Sequence, residues 1–148
     1  MGQKDIQQTI VLKALVRDLH IPIDLRVCPT VREPDGLALS SRNAYLDASQ
    51  REDALILWHA LKSGLQLYNS QTPSPSPTAI LKAAQDNMSH SVDQSQGRVS
   101  IEYLDIVHPD TLRFLTDSDA AKGGILVGAV RLKGGDRTIR LIDNVILE

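Results

Sequence analysis

Residues 125–141, ILVGAVRLKGGDRTIRL, decide the fold class. Ile125, Val127 and Ala129 alternate with their neighbours, and Ile139 and Leu141 resume that period of two after Lys133-Gly134-Gly135-Asp136. Two such runs around a Gly-Gly-Asp segment read as strands joined by a hairpin turn. Val99, Ile101 and Tyr103 form a third run of the same kind. Strands close in sequence and joined by a tight turn imply a small antiparallel sheet. Upstream the period becomes helical. Ile80, Leu81, Ala84 and Met88 mark one amphipathic helix, and Ala54, Leu57, Trp58, Leu61 and Leu65 mark a longer one before it. Asp47-Ala-Ser-Gln50 has the form of a capping box for that longer helix, with Asp as the cap. Between the helices, residues 71–78 (QTPSPSPT) are a Pro/Ser-rich, extended connector. From residue 47 onward the chain reads as an α+β unit, helices on a small sheet.

Ahead of residue 47 the pattern differs. Residues 5–20 are helical, with Ile6, Ile10, Leu12, Leu15 and Leu19 against Lys13, Arg17 and Asp18. Residues 21–28 follow at once, and the alternation of Ile23, Leu25 and Val27 predicts a strand stopped by Pro29. A helix leading straight into a strand is the tail of a βαβ crossover, which requires a parallel neighbour strand. No segment ahead of the helix is expected to supply one, so the unit reads as incomplete. Residues 29–43 form an extended loop with two prolines and an Asp35-Gly36 turn signal. Loops of this length without regular structure are often functional.

Composition narrows the function classes. The chain has 148 residues, close to one domain's worth. It is 42% hydrophobic but only 3% aromatic, so the core must be aliphatic. Lys plus Arg number 16 against 18 Asp plus Glu, for a net charge of −2. That balance speaks against a nucleic-acid module, which carries a basic surplus on one face, yet leaves room for a local phosphate site. The single Cys28 rules out an internal disulfide or a cysteine zinc cage and fits a reducing compartment. Before a proline at a strand end, it reads as a buried small hydrophobe. The four histidines are scattered without metal-ligand spacing. With no apolar run of about 20 residues and no signal peptide, the expectation is a cytoplasmic chain without a membrane partner.

Two segments carry groups suited to anions. Gly2-Gln3-Lys4-Asp5 leads into the first helix, where unpaired N–H groups and a mobile ammonium can meet a phosphate. Asp5 suits the N-cap, and Gln8, one turn beyond Lys4, can face the same pocket. The bland reading is a solvated helix start. Ser40-Ser41-Arg42-Asn43 ends the long loop with two hydroxyls and a planar guanidinium, donors suited to a polyphosphate. Here the bland reading is a polar turn, and the neighbouring Leu37-Ala38-Leu39 would anchor the loop while its polar end stays free. Arg140-Leu-Ile-Asp143-Asn144 reads as structural, with Arg140 and Asp143 paired across the sheet surface.

Gly-Gln-Lys-Asp-x-Gln-Gln at 2–8, Pro-Thr-Val-Arg-Glu-x-Asp-Gly-Leu-Ala-x-Ser-Ser-Arg-Asn at 29–43 with Tyr45-Leu46, and Arg-Leu-Ile-Asp-Asn at 140–144 together resemble the pantothenate synthetases (pantoate–β-alanine ligases). The blocks keep the family's order and spacing and span nearly the whole chain. The resemblance implies an α/β remnant of a Rossmann-like nucleotide-binding domain followed by an α+β C-terminal domain with a small antiparallel sheet. Residues 1–28 would be the tail of the ATP-binding domain, 29–46 the ATP-contacting loop and hinge, and 47–148 the C-terminal lid. It further implies an ATP-dependent ligase that joins pantoate to β-alanine through a pantoyl adenylate, with ATP as substrate and Mg2+ accompanying it. Lys4 and Arg42 would be catalytic. Gly2, Gln3, Lys4, Asp5, Val31, Leu39, Ser40, Ser41 and Arg42 would bind ATP, Gln8 would bind pantoate, and no residue would hold a metal.

The sequence departs from the family in lacking the His-x-Gly-His motif and the upstream glutamine that touch ATP, pantoate and β-alanine. The expectation is therefore a C-terminal half that needs the N-terminal half of the same enzyme, and that is inactive alone. The competing reading is a non-catalytic subunit or interaction module completing a site on another chain, with the edge of the 21–28 strand as its docking edge. Family members are typically homodimers, and some are fused to a cytidylate kinase; either form accommodates this stretch.

Overall fold

The computed structural model describes residues 1–134 and 137–148. In chain order it contains helix α1 (Ile6–Asp18), a 3-10 turn (Ser41–Tyr45), helices α2 (Ala48–Ser70) and α3 (Pro77–Gln94), and strands β1 (Val99–Val107), β2 (Ile125–Gly134) and β3 (Arg137–Ile146). The strands form one antiparallel sheet in the order β1-β2-β3. Lys133 pairs with Thr138 and Gly134 with Arg137, as the hairpin requires. The turn residues of that hairpin, Gly135 and Asp136, lie outside the described residues. Among the described residues no helix is long and apolar enough to cross a membrane.

Local chemistry sets the helix starts. At α2 the Asp47 carboxylate accepts from the Gln50 backbone N–H at 2.8 Å, and the Gln50 side chain accepts from the Asp47 N–H at 3.2 Å. This reciprocal box satisfies two otherwise unpaired donors, as the sequence predicted. Ser76 caps α3 through Ala79, and Pro77, whose missing N–H costs nothing in the first turn, follows it.

The two faces of the sheet carry different loads. On one, Leu126, Val130 and Leu132 of β2 and Ile139, Leu141 and Val145 of β3 meet the α2–α3 helix pair through Leu57, Leu61, Ile80 and Met88. Gly128 lets α2 approach β2: a Cβ there would lie 2.7 Å from Leu57 Cδ1. On the other, the first turns of α1 place Ile6 and Ile10 on Val107, Ile125 and Val127. The aliphatic core expected from the shortage of rings is thus divided by the sheet into a large and a small part.

The N-terminal region corrects several expectations. Residues 21–28 do not form a strand; their one ladder contact is a parallel bridge between Cys28 and Gly2. Gln3 N–H donates to the Cys28 carbonyl and Cys28 N–H to the Met1 carbonyl, both at 2.8 Å. The parallel neighbour expected to be missing is therefore residues 1–3, but three residues are too few to organise all of 21–28. Cys28 is exposed, against its reading as a buried hydrophobe. The helix ends at Asp18, two residues short of His20, which takes a positive φ of 50°. Asp5 occupies the N-cap position, but its side chain makes no capping hydrogen bond.

Candidate functional site

The two anion-suited segments meet at the edge strand β3, where Asp143 and Asn144 are 6% and 1% exposed. Adjacent strand residues point to opposite faces, so this pair reaches both sides of the sheet. On the α1 face, the Asn144 amide donates to the carbonyls of Gln3 at 3.1 Å and Lys4 at 3.0 Å. Its Oδ1 accepts from Gln3 Nε2 at 3.0 Å. The turn that carries Lys4 into α1 is thereby pinned to the sheet through a buried amide.

On the α2 face, Asp143 holds the long loop. Arg32 Nη1 donates to Asp143 Oδ2 at 2.5 Å and Nη2 to Oδ1 at 3.0 Å, a bidentate fork. Arg32 also donates to the Gly36 carbonyl at 3.1 Å, and its guanidinium lies 3.8 Å from the Trp58 ring centroid. Gly36 has φ +98°, and a Cβ there would strike the Trp58 indole nitrogen, so the turn needs glycine twice over. Farther along, Glu33 accepts from Arg51 at 2.9 and 2.8 Å and from Asn43 at 3.1 Å, while Asp35 accepts from Arg51 at 2.6 Å. Hydrogen bonds from Arg51 and Asn43 hold Glu33 below its ordinary pKa. Those from the Leu37 N–H and Arg51 do the same for Asp35. The segment expected to be irregular is thus a small tied structure with an Arg32–Ala38 antiparallel bridge.

These ties decide what stays free. Leu37 and Ala38 are buried as anchors, whereas Val31 and Leu39 are 65% and 51% exposed. Ser40 Oγ accepts from the Arg42 N–H and opens the 3-10 turn. Ser41 and Arg42 lie exposed on it, and the Arg42 guanidinium has no acidic partner among the described residues.

Lys4, Asp5, Gln8, Tyr103, Arg140 and Asp143 line one cleft of about 320 Å³ beside α1. Arg42 and Tyr45 line a second, of about 480 Å³, with Arg137 and Arg140. Arg140 is common to both, so Lys4 and Arg42 flank one side chain. Burial lowers the Lys4 pKa, Asp143 and Asp5 raise it, and Arg42 and Arg32 lower it again. An ammonium in the field of two guanidinium groups is a place where added negative charge is favoured. Of the predicted residues, Lys4, Asp5 and Gln8 come together in the first cleft, Arg42 stands at its neighbour, and Gly2 forms the parallel bridge behind them. Among the described residues no three His, Cys, Asp or Glu side chains gather as a metal site.

Arg140 does not pair with Asp143. It donates to Glu102 at 3.0 Å, and Glu102 also takes Arg131 at 2.8 Å. Three positions along a strand put two side chains on opposite faces, so parity forbids the expected pair. Because Arg131 and Arg140 sit directly opposite each other, the Glu102 carboxylate offsets a like-charge contact. The residues that sequence reasoning missed are Arg32, Asp143 and Asn144 as a clamp. Their available signal was two adjacent polar residues between Ile142 and Val145, where an apolar strand continues on both sides.

A family model described as pantoate-beta-alanine ligase matches residues 1–146. A pantothenate synthetase of Chloroflexus aurantiacus is 42% identical over 148 residues, covering 99% of this chain and 48% of that protein. A bifunctional pantoate ligase/cytidylate kinase of Trichodesmium erythraeum is 36% identical over 148 residues, covering 99% of this chain and 26% of that protein. The crystal structure of pantothenate synthetase from Thermus thermophilus superposes with a TM-score of 0.83 at 37% identity, covering 99% of this chain and 48% of that one. The chain thus spans about half the length of the single-function relatives it matches.

Proposed function

We propose that this chain, which belongs to the pantoate–β-alanine ligase family, supplies the phosphate-gripping wall of an ATP-dependent ligase that joins pantoate to β-alanine. In the reaction, a pantoate carboxylate oxygen bonds to the α-phosphorus of ATP and the bond to pyrophosphate breaks. The β-alanine amine then attacks the acyl carbon of the pantoyl adenylate, AMP leaves, and the amine loses a proton. Neither step requires a protein nucleophile; positioning and charge stabilisation carry both. Lys4 meets the negative charge that builds on the transferring phosphates. Leu39, Ser40, Ser41 and Arg42 close on the triphosphate, Val31 offers exposed apolar surface to the adenine, and Gln8 hydrogen-bonds pantoate. Gly2, Gln3 and Asp5 shape the turn beneath the nucleotide.

The observation that supports this reading is the placement of Lys4 and Arg42, from separate segments, on either side of Arg140. Mg2+ belongs to the substrate here. The cleft offers only Asp5 and Asp143, and Arg32 already engages Asp143, so an accompanying ion is held by phosphate oxygens and water. On the same reading residues 1–28 are the tail of a Rossmann-like ATP-binding domain, with the Gly2–Cys28 bridge across α1 as its trace. Residues 29–46 are the contacting loop and 47–148 the lid. The remaining contacts come from elements that this sequence does not contain: a His-x-Gly-His motif for ATP and an upstream glutamine for pantoate and β-alanine.

Isothermal titration of ATP tests the proposal. The chain is expected to bind ATP weakly, with Arg42→Ala weaker by about tenfold, in the range of one lost charged hydrogen-bonding group. Equal heats from both proteins would remove the loop from the phosphate site. Turnover of pantoate, β-alanine and ATP by this chain alone would contradict the division of labour.

A further inference from the structure

We infer that Asp143 and Asn144 are positioning residues that hold the Lys4 turn and the Arg42 loop in register on opposite sides of one strand edge. The inference rests on the ligase reading above and extends it to two β3 residues that act through Lys4 and Arg32. Among the described residues, the side-chain hydrogen bonds from the two segments to the sheet end on this dipeptide. Asn144 holds the Gln3 and Lys4 carbonyls, and Asp143 holds Arg32 through both carboxylate oxygens. The pair is also tied within itself, since the Asn144 N–H donates to Asp143 Oδ1 at 2.8 Å. Arg32 adds a third bond to the Asn144 carbonyl at 3.3 Å. A displacement of the loop therefore pulls on the same backbone that carries the Lys4 turn.

The strand itself is a firm base. Asp143 and Asn144 pair with Gly128 and Val127 of β2, the central strand, and Val145 and Leu141 beside them are buried. On the loop side the Arg32 guanidinium meets the Asp143 carboxylate with its edge and the Trp58 ring with its face, which fixes its plane as well as its charge. A phosphate site needs its donors preset to fractions of an ångström, and side chains locked by partners of their own achieve that. Asp143 has a second effect besides anchorage. Its carboxylate favours the charged form of Lys4, against burial, Arg42 and Arg32; Asp5 is the other acidic group acting on it.

The test uses this chain with Asp143→Asn, which keeps the shape and removes the charge. ATP is titrated between pH 7 and 10, and backbone amide exchange is followed in parallel. We expect ATP binding weakened about tenfold at pH 7 and its alkaline fall-off moved to lower pH, which a purely structural role would not move. The Leu37 and Leu39 amides, bonded within the loop, should exchange at least about tenfold faster, while helix amides keep their protection. Unchanged affinity together with unchanged exchange at Leu37 and Leu39 overturns the inference. Should Asp143→Asn fail to fold, Arg32→Lys keeps the charge but loses the fork, and the same two readouts decide. An unmutated chain that takes up no ATP would instead sink the ligase reading, and the exchange data alone would then decide the clamp.

Discussion

The α2–α3 pair and the segment formed by residues 1–43 lean on the same sheet in contrasting ways. The helix pair is held by area: Leu61, Ile80, Met88, Leu126 and Leu132 are fully buried in one continuous aliphatic cluster. The N-terminal segment buries little beyond Ile6, Ile10, Leu37 and Ala38, and is fastened by discrete polar ties at Asn144, Asp143 and Arg51. Burial is non-directional and tolerates small shifts, whereas a bidentate pair or an amide clamp fixes orientation. Scaffold and site are therefore stabilised by different physics, and perturbations should separate them.

The largest expected effect lies in the scaffold. Leu61→Ala leaves a cavity between α2 and the sheet and should cost about 2–5 kcal/mol, read as a lower denaturation midpoint for all probes together. A loss confined to Trp58 fluorescence would break the contrast. Gly36→Ala comes next, at about 1–3 kcal/mol for strain at positive φ, with the Trp58 collision in addition. It should change the near-ultraviolet signal of the single tryptophan while far-ultraviolet helix content stays constant.

Acid sharpens the same division. Glu33 and Asp35 have depressed pKa values in the folded chain. Their contribution is complete above the ordinary carboxylate range of about 4, and is lost as pH falls through the folded values. The Trp58 signal should therefore change at lower pH than an unperturbed carboxylate would give, ahead of loss of helix. A single joint transition would contradict this. The smallest effect is at Lys4, whose folded pKa is lowered chiefly by burial. Its charged form is disfavoured by folding, so stability rises slightly as pH climbs through the folded value toward about 10.4. Anion binding runs the opposite way and should decline over that window, whereas Lys4→Arg should keep it flat.

This contrast also explains what the sequence disclosed. The strands at 99–107, 125–134 and 137–146, both long helices and the Asp47–Gln50 box were legible because period and capping are local properties. Residues 21–28 misled because alternation speaks for a strand only where a neighbour supplies a ladder, and here residues 1–3 supply a single bridge. At the site, the residue types suited to phosphate were visible in 2–8 and 29–43. Their fastening was not, because Arg32–Asp143 and Asn144–Lys4 join positions far apart in the chain. The misassigned Arg140–Asp143 pair shows how strand parity decides partners even at short separation.

The direct test of a common ligand across the two neighbouring clefts is a double-mutant cycle in ATP binding with Lys4→Ala, Arg42→Ala and both together. Two side chains gripping one polyphosphate should be coupled by more than about 0.5 kcal/mol. Strictly additive losses would mean that Lys4 and Arg42 act on ATP independently and not as one grip, and an affinity that neither substitution changes would mean that they serve no common ligand.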